Sequence, residues 1–387
     1  MVISAFQKGK NIAYVPACNA DEASIVNGMK VFGASTLEEL LKGLTGECEL
    51  VPHKADMEEL FLKEGSFGVD FSEVKGQYQV KRALEIAAAG GHNLLMIGPP
   101  GSGKTMLAKR VPTILPDLTF EEALEVTKIH SISGALGKDC AMVAKRPFRH
   151  PHHTISAVGL SGGGANPRPG EISLSHNGVL FMDELPEFRR DALEVLRQPL
   201  EDGMVTITRA SGTISYPCNV MLVASMNPCP CGFHGDPTRE CSCTETKIHK
   251  YVSKISGPLL DRIDIHIEVP AVSYSDLESK AEEESSADIK KRVNKARAVQ
   301  LERYKNDGIF SNSMLSPELM EKYCVLSEEC NMILKFAFEK MGLSARAHNR
   351  ILKVARTIAD IEGEEDILPE HITEAVRYRG LDTKFFN

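Results

Sequence analysis

Eight consecutive residues could hold a nucleoside triphosphate: Gly98, Pro99, Pro100, Gly101, Ser102, Gly103, Lys104 and Thr105. This is the Walker A spacing with every required position filled. Glycines let the backbone curl so that successive N–H groups face phosphate oxygens. A helix beginning near Lys104, with Met106 in its first turn, turns its positive end to the same anion. In such a loop the lysine reaches the β- and γ-phosphates and the threonine hydroxyl ligates Mg²⁺. A Gly-rich turn that binds nothing is the alternative. The apolar stretch just before the loop and the helical pattern just after it favour the phosphate site.

A second constellation lies downstream. Residues 179–182 are apolar and lead into Asp183 and Glu184, the Walker B arrangement. Asp183 is placed to hold Mg²⁺ through its water shell, and Glu184 to orient and polarise the attacking water. The same acidic pair could instead cap the next helix. Residues 220–226 form another apolar run, ending at Asn227. An asparagine there resembles sensor 1 of AAA+ proteins, holding the water or the γ-phosphate; the alternative is a turn-forming Asn before Pro228. The segment 256–264 resembles the AAA+ arginine-finger segment, with Arg262 reaching a neighbouring subunit's γ-phosphate. An ion pair with Asp261 or Asp264 inside the subunit is the other reading. Arg346, opening a long helical stretch, fits sensor 2, which reports γ-phosphate loss to the lid; Arg350, one turn later, is its runner-up.

Ten cysteines are present, and four of them, Cys229, Cys231, Cys241 and Cys243, fall in one short stretch. Two thiolate pairs can close a tetrahedral structural zinc site. His234 could replace one ligand; free thiols or a redox or iron–sulfur role are the alternatives. The other six cysteines read as small buried apolar residues.

These residues need rigid elements to hold them. The 387 residues are 42% hydrophobic and 25% charged, enough for two or three domains. A net charge of −8 argues against a surface that coats nucleic acid, though not against a basic ring pore. There is no signal-peptide pattern and no apolar run long enough to span a bilayer, so the chain reads as cytoplasmic with no membrane partner. From about residue 72 to 272, apolar runs alternate with helical patterns, as in a parallel sheet covered by helices. Three runs, 93–97, 178–182 and 220–226, read as central strands whose carboxyl ends carry the site, where ligands bind in open α/β sheets. The expected fold is therefore α/β: a P-loop NTPase of the AAA+ class with a parallel sheet core over 61–275. A Cys-rich insertion over 228–244 interrupts that core, and a C-terminal helical lid domain over 276–387 completes the chain. The acidic run Glu282 to Glu284 reads as a solvated loop or helix end. Residues 1–60 read as a partial α/β N-terminal domain and linker.

Beyond these motifs, Phe71 to Gln77, Arg146 to Arg149, Pro151 to Ser156, Pro167 to Ser173 and Asn227 to Gly232 resemble the ComM/YifB family of magnesium chelatase-like AAA+ proteins, over nearly the whole chain. The resemblance implies a hexameric ATP-dependent helicase driving branch migration of recombination intermediates in natural transformation. It implies homo-oligomerisation and a branched or three-stranded DNA partner. It also implies an N-terminal Lon-protease-like domain, of which residues 1–60 would be the C-terminal part. Magnesium chelatase itself, a motor subunit in tetrapyrrole synthesis, is the weaker match, and a protein-remodelling ATPase is a third class.

Two segments sit where such rings place pore loops. Residues 155–169 carry Gly162 and Gly163 near a tip, whose lack of side chains allows close approach to a phosphate chain; Arg168 follows, and His152 and His153 precede. Residues 204–217 alternate at period two around Arg209, a hairpin pattern with a cation at its turn.

Overall fold

The structure, a computed structural model, describes residues 2–24, 26, 28–53, 67–137, 142–164, 167–209, 212–236, 239–272, 274, 278, 282–381 and 385. Residues 54–60, the end of the expected N-terminal domain and linker, lie outside the described residues. So do Ala210 and Ser211, together with the side chain of Arg209. The chain divides into two compact units, residues 1–66 with 118–145, and residues 67–117 with 146–387.

In the first unit, β1 (Ile12–Pro16) and β2 (Lys30–Ala34) pair in parallel, joined through the helix Ala20–Ser24. Ala23, Met29 and Val31 form its small core. Thr36 caps the helix Leu37–Thr45 by accepting from the Glu39 N–H, and left-handed Gly46 ends it. The helix Phe120–Ser133 opens with a reciprocal capping box between Thr119 and Glu122.

The second unit holds β3 (Leu94–Ile97), β4 (Phe148–Arg149), β5 (Gly162–Gly163), β6 (Arg168–Pro169), β7 (Val179–Met182), β8 (Met204–Arg209), β9 (Gly212–Pro217), β10 (Met221–Met226) and β11 (Ile265–Glu268). Five of them make a parallel sheet in the order β11-β3-β10-β7-β4. The three central strands are buried at every position, as expected of a parallel sheet covered on both faces. Period-two alternation sorts their side chains. Leu94, Met96, Val179, Phe181 and Val223 face a core shared with the helices Tyr78–Gly90, Lys104–Ile114, Ser286–Arg303 and Ala345–Glu362. Leu95, Ile97, Leu180, Met182, Leu222 and Ala224 face a second core closed by Leu193, Val205, Tyr216, Tyr251 and Leu259. The C-terminal region is helical, as expected, and Ser344 caps one of its two 18-residue helices, Ala345–Glu362.

Two expectations hold only in part: Cys18 and Cys48 are exposed where burial was expected, and the acidic run 282–284, though a loop leading into a helix, has one member whose side chain is buried. The acidic run is not simply solvated: the Glu283 carboxylate is 3% exposed and accepts from Lys81 Nζ at 2.6 Å and from the Gly76 N–H at 2.9 Å. Lys81 also donates to the Val74 carbonyl. A charge is buried only with partners of this kind, and here those partners come from a segment some 200 residues earlier in the sequence.

Candidate functional site

The phosphate loop leaves the carboxyl end of β3, and its helix starts at Lys104 after Gly103, which holds a left-handed φ of 89°. Gly98 has no room for a side chain: a Cβ there would lie 2.1 Å from the Val269 carbonyl oxygen, just past β11. The Lys104 ammonium donates to the carbonyls of Gly98 and Pro99, both at 2.8 Å, and to Asn227 Oδ1 at 3.2 Å. Thr105 Oγ1 donates to Asp183 Oδ2 at 2.7 Å. The structure thus brings the Walker A lysine and threonine, the Walker B aspartate and Asn227 to one end of three adjacent strands. The donor set fits Mg-ATP: a hydroxyl beside a carboxylate for a hard cation, and an ammonium at a helix N-terminus for phosphate. A cavity of about 310 Å³ opens beside the end of β11, lined by Gln77, Tyr78, Val80 and Pro270.

Burial pushes the Lys104 ammonium down to about 8, against the pull of Asp183 and Glu184. Only the ammonium pairs with phosphate. ATP affinity is therefore expected to hold below pH 8 and to fall as pH rises through it, by up to about tenfold per further unit. Equilibrium titration with a fluorescent ATP analogue across this range checks it; a profile flat well into alkaline pH contradicts it.

Glu184 sits in the left-handed region at φ 55°, an uncommon conformation for a glutamate and the kind of strain that marks functional turns. Its N–H donates to Ser225 Oγ at 3.3 Å, and Ser225 Oγ in turn donates to Asp183 Oδ1. The sequence reading missed Ser225. Its signal is a lone hydroxyl in the otherwise apolar strand β10. Also missed was Tyr251, whose buried hydroxyl reaches the Asn227 backbone. His153 Nδ1 lies 3.9 Å from Glu184 Oε2, so this histidine faces Glu184, and the His152 ring packs on His153 at a tilt of 34°.

Arg262 and Arg346 are elsewhere. The Arg262 carbonyl accepts from Asn93 Nδ2 at 2.9 Å, and Asn93 precedes β3, so Arg262 lies at the end of the sheet opposite the phosphate loop. Its guanidinium is engaged inside the subunit by neither Asp261 nor Asp264. It pairs with Glu201 and donates to the Pro258 carbonyl at 2.6 Å. Burial and then the charges of Arg197, Arg346 and Arg350 disfavour its protonated form. Arg346 pairs with Asp261 at 3.3 Å and Arg350 with buried Asp264 at 2.9 Å. Arg197, which the sequence reading passed over, pairs with Glu194 at 2.7 Å. The structure therefore groups Arg346 with Arg262, not with Lys104.

The hairpin β8–β9 pairs in the expected alternating register, with Arg209 opposite Gly212 through the backbone. The shorter pair β5–β6 joins Gly162 to Pro169 and Gly163 to Arg168, with Arg168 exposed. The Tyr216 hydroxyl donates to the Pro167 carbonyl at 3.1 Å, tying the second hairpin to the first.

The four clustered cysteines converge, with all four sulfurs within 4.8 Å of one another. Three of the separations are 3.3 Å (Cys229–Cys231), 3.7 Å (Cys229–Cys241) and 3.6 Å (Cys231–Cys241). A tetrahedral ion with ~2.3 Å Zn–S bonds sets its sulfurs about 3.8 Å apart, so the set fits zinc. His234 packs edge-on against Phe385 and is not in the cluster. The knob presses on the phosphate loop: a Cβ at Gly232 would lie 2.4 Å from Pro100 Cδ.

A family profile described as magnesium chelatase, subunit ChlI, matches residues 70–277, and one described as magnesium chelatase, subunit ChlI C-terminal, matches residues 283–379. The competence protein ComM of Haemophilus influenzae is 42% identical over 382 residues, which cover 98% of this chain and 74% of that one. The YifB protein of Escherichia coli is 44% identical over 381 residues, 98% of this chain and 72% of that one. The magnesium-chelatase 67 kDa subunit of Chlorobaculum parvum is 26% identical over 166 residues, 41% of this chain and 23% of that one. No helix among the described residues is long and apolar enough to cross a membrane. With its candidate nucleotide-binding residues gathered on a five-stranded parallel sheet and a helical region beyond it, the chain belongs to the ComM/YifB family of magnesium chelatase-like AAA+ ATPases.

Proposed function

We propose that the chain is an ATP-driven DNA motor that works as a cytoplasmic hexameric ring on branched or three-stranded recombination intermediates. The observation that carries the ring is the placement of Arg262 and Arg346 at the end of the sheet opposite Lys104. One subunit's phosphate loop is then completed by the arginine end of the next. Lys104, the backbone N–H groups of Gly101 and of residues 103–106, Thr105 and Asp183 hold the nucleotide and Mg²⁺, which neutralises charge on the phosphates when bound. Glu184 takes the proton of the attacking water, Asn227 orients that water, and Arg262 and Arg346 of the neighbour stabilise the developing charge. The DNA reading draws on the competence role in the name of ComM and on two tied hairpins, with Arg168, Arg209, Gly162 and Gly163 as the contacts. Cys229, Cys231, Cys241 and Cys243 hold a structural zinc. Residues 1–60 are the C-terminal part of a Lon-like domain, joined to an ATPase core over 61–275 and a lid over 276–387.

The test is the ATPase rate with no polymer, with linear duplex and with a four-way junction, using Lys104→Ala as the blank. Stimulation by DNA, largest with the junction and absent from the blank, is the expected result. A rate indifferent to DNA removes the DNA reading and favours a chelatase-type motor subunit, to which the profile descriptions point.

A further inference from the structure

Four arginines gather at the end of the sheet opposite the phosphate loop, and each has its own carboxylate: Arg197 with Glu194, Arg262 with Glu201, Arg346 with Asp261, and Arg350 with Asp264. The Arg262 pair differs from the others because its carboxylate leads directly into a hairpin. Glu201 is in the one-turn helix Pro199–Asp202, and only Asp202 and Gly203 separate it from the first residue of β8. That junction is fixed at its base, because the Cys218 N–H, just after β9, donates to the Gly203 carbonyl at 2.8 Å and Cys218 is buried. A displacement of the hairpin is thus delivered to Glu201 over two residues.

At its other end the pair is equally constrained. The Arg262 side chain is 10% exposed, whereas that of Glu201 is 58% exposed. Arg262 Nη1 is held by Pro258 and its Nε has no hydrogen-bond partner. Among the described residues Glu201 is therefore the carboxylate that fixes the direction of this guanidinium, and a buried arginine left without it faces three like charges.

We propose that Glu201 is a positioning residue that couples the β8–β9 hairpin to Arg262. Polymer bound at the hairpin of one subunit thereby changes ATP hydrolysis in the next. This deepens the motor reading above and rests on Arg262 acting on a neighbour.

Glu201→Gln keeps the shape and removes the charge, and at an exposed position it leaves the fold intact. ATPase is measured with and without duplex DNA for the wild type, Glu201→Gln and Glu201→Asp. The expected result is that DNA no longer raises the rate of Glu201→Gln, that DNA affinity by equilibrium titration is unchanged, and that Glu201→Asp recovers part of the stimulation. Equal stimulation of wild type and Glu201→Gln overturns the proposal. If DNA stimulates neither, the DNA reading fails by itself and a polymer-free cycle decides the coupling. In that cycle residues 207–214 are replaced by Asn-Gly, which closes Thr206 against Ser215 with a two-residue turn. This change is made with Glu201 and with Gln in its place. A hairpin effect on the basal rate that vanishes in the Glu201→Gln background supports the coupling, and additive effects refute it.

Discussion

Arg262→Ala is expected to lower kcat for ATP hydrolysis by about 10³–10⁵-fold, the range found for arginine fingers supplied in cis or by a partner protein, while leaving ATP binding within a few-fold of wild type. The separation of the two effects stems from placement. Lys104, Thr105 and Asp183 meet at one end of the sheet, and Arg262 sits at the other. Truncation frees Glu201, which is already half exposed and can hydrate, so the loss is not expected to be one of folding. The check is subunit mixing. Arg262→Ala chains, inactive alone, should restore part of the rate when mixed with Lys104→Ala chains, because some interfaces then pair an intact phosphate loop with an intact arginine end. Failure of every mixing ratio to restore activity, with rings assembled, would place Arg262 in its own subunit's chemistry and remove the trans reading.

Cys229→Ser is expected to have the second largest effect. Purified protein should carry one zinc per chain by elemental analysis, and the variant none. Structural zinc contributes apparent binding energies of ~10–16 kcal/mol in small peptides. Here the flanking strand β10 and the helix Glu245–Val252 already hold the ends of the knob, so only part of that range is at stake. The consequence should extend to nucleotide. Cys229 lies two residues beyond Asn227, which touches Lys104, and Gly232 packs on Pro100. Loss of the metal is thus expected to weaken ATP binding as well as to lower the unfolding temperature. A metal-free protein with the melting temperature and ATP affinity of Cys229→Ser would show the thiols to be free.

What the sequence made legible was local. The Walker A loop, the strand ends at Met182 and Met226 and the β8–β9 hairpin are each written in fewer than 15 consecutive residues. Periodicity and turn chemistry suffice to read such segments. The four cysteines were legible for the same reason. The illegible part consists of pairings across long loops. Nothing near Glu283 announces Lys81, and nothing near Arg262 announces Glu201, so a charge run was read as solvated, and the ion pair weighed as the alternative for Arg262 was drawn to the aspartates beside it. Arg346 and Arg350 carry a helical pattern whose partners, Asp261 and Asp264, lie 85 and 86 residues away. Ser225 was hidden differently: a single hydroxyl in a buried strand is a small departure, and its use is apparent only once β7 lies alongside β10.

The glycines of the phosphate loop differ in which substitutions each tolerates. At Gly101, with φ 78° and nothing within 4 Å of an added Cβ, the demand is conformational, and asparagine, which visits the left-handed region, is a workable replacement. At Gly98 the demand is spatial: the carbonyl of Val269 fills the place of any Cβ, so even alanine would force the loop and β11 apart. Tolerance at the first glycine is therefore set by the backbone of a segment about 170 residues later in the sequence, and because the obstacle is a main-chain carbonyl, no change of side chain at Val269 would relieve it.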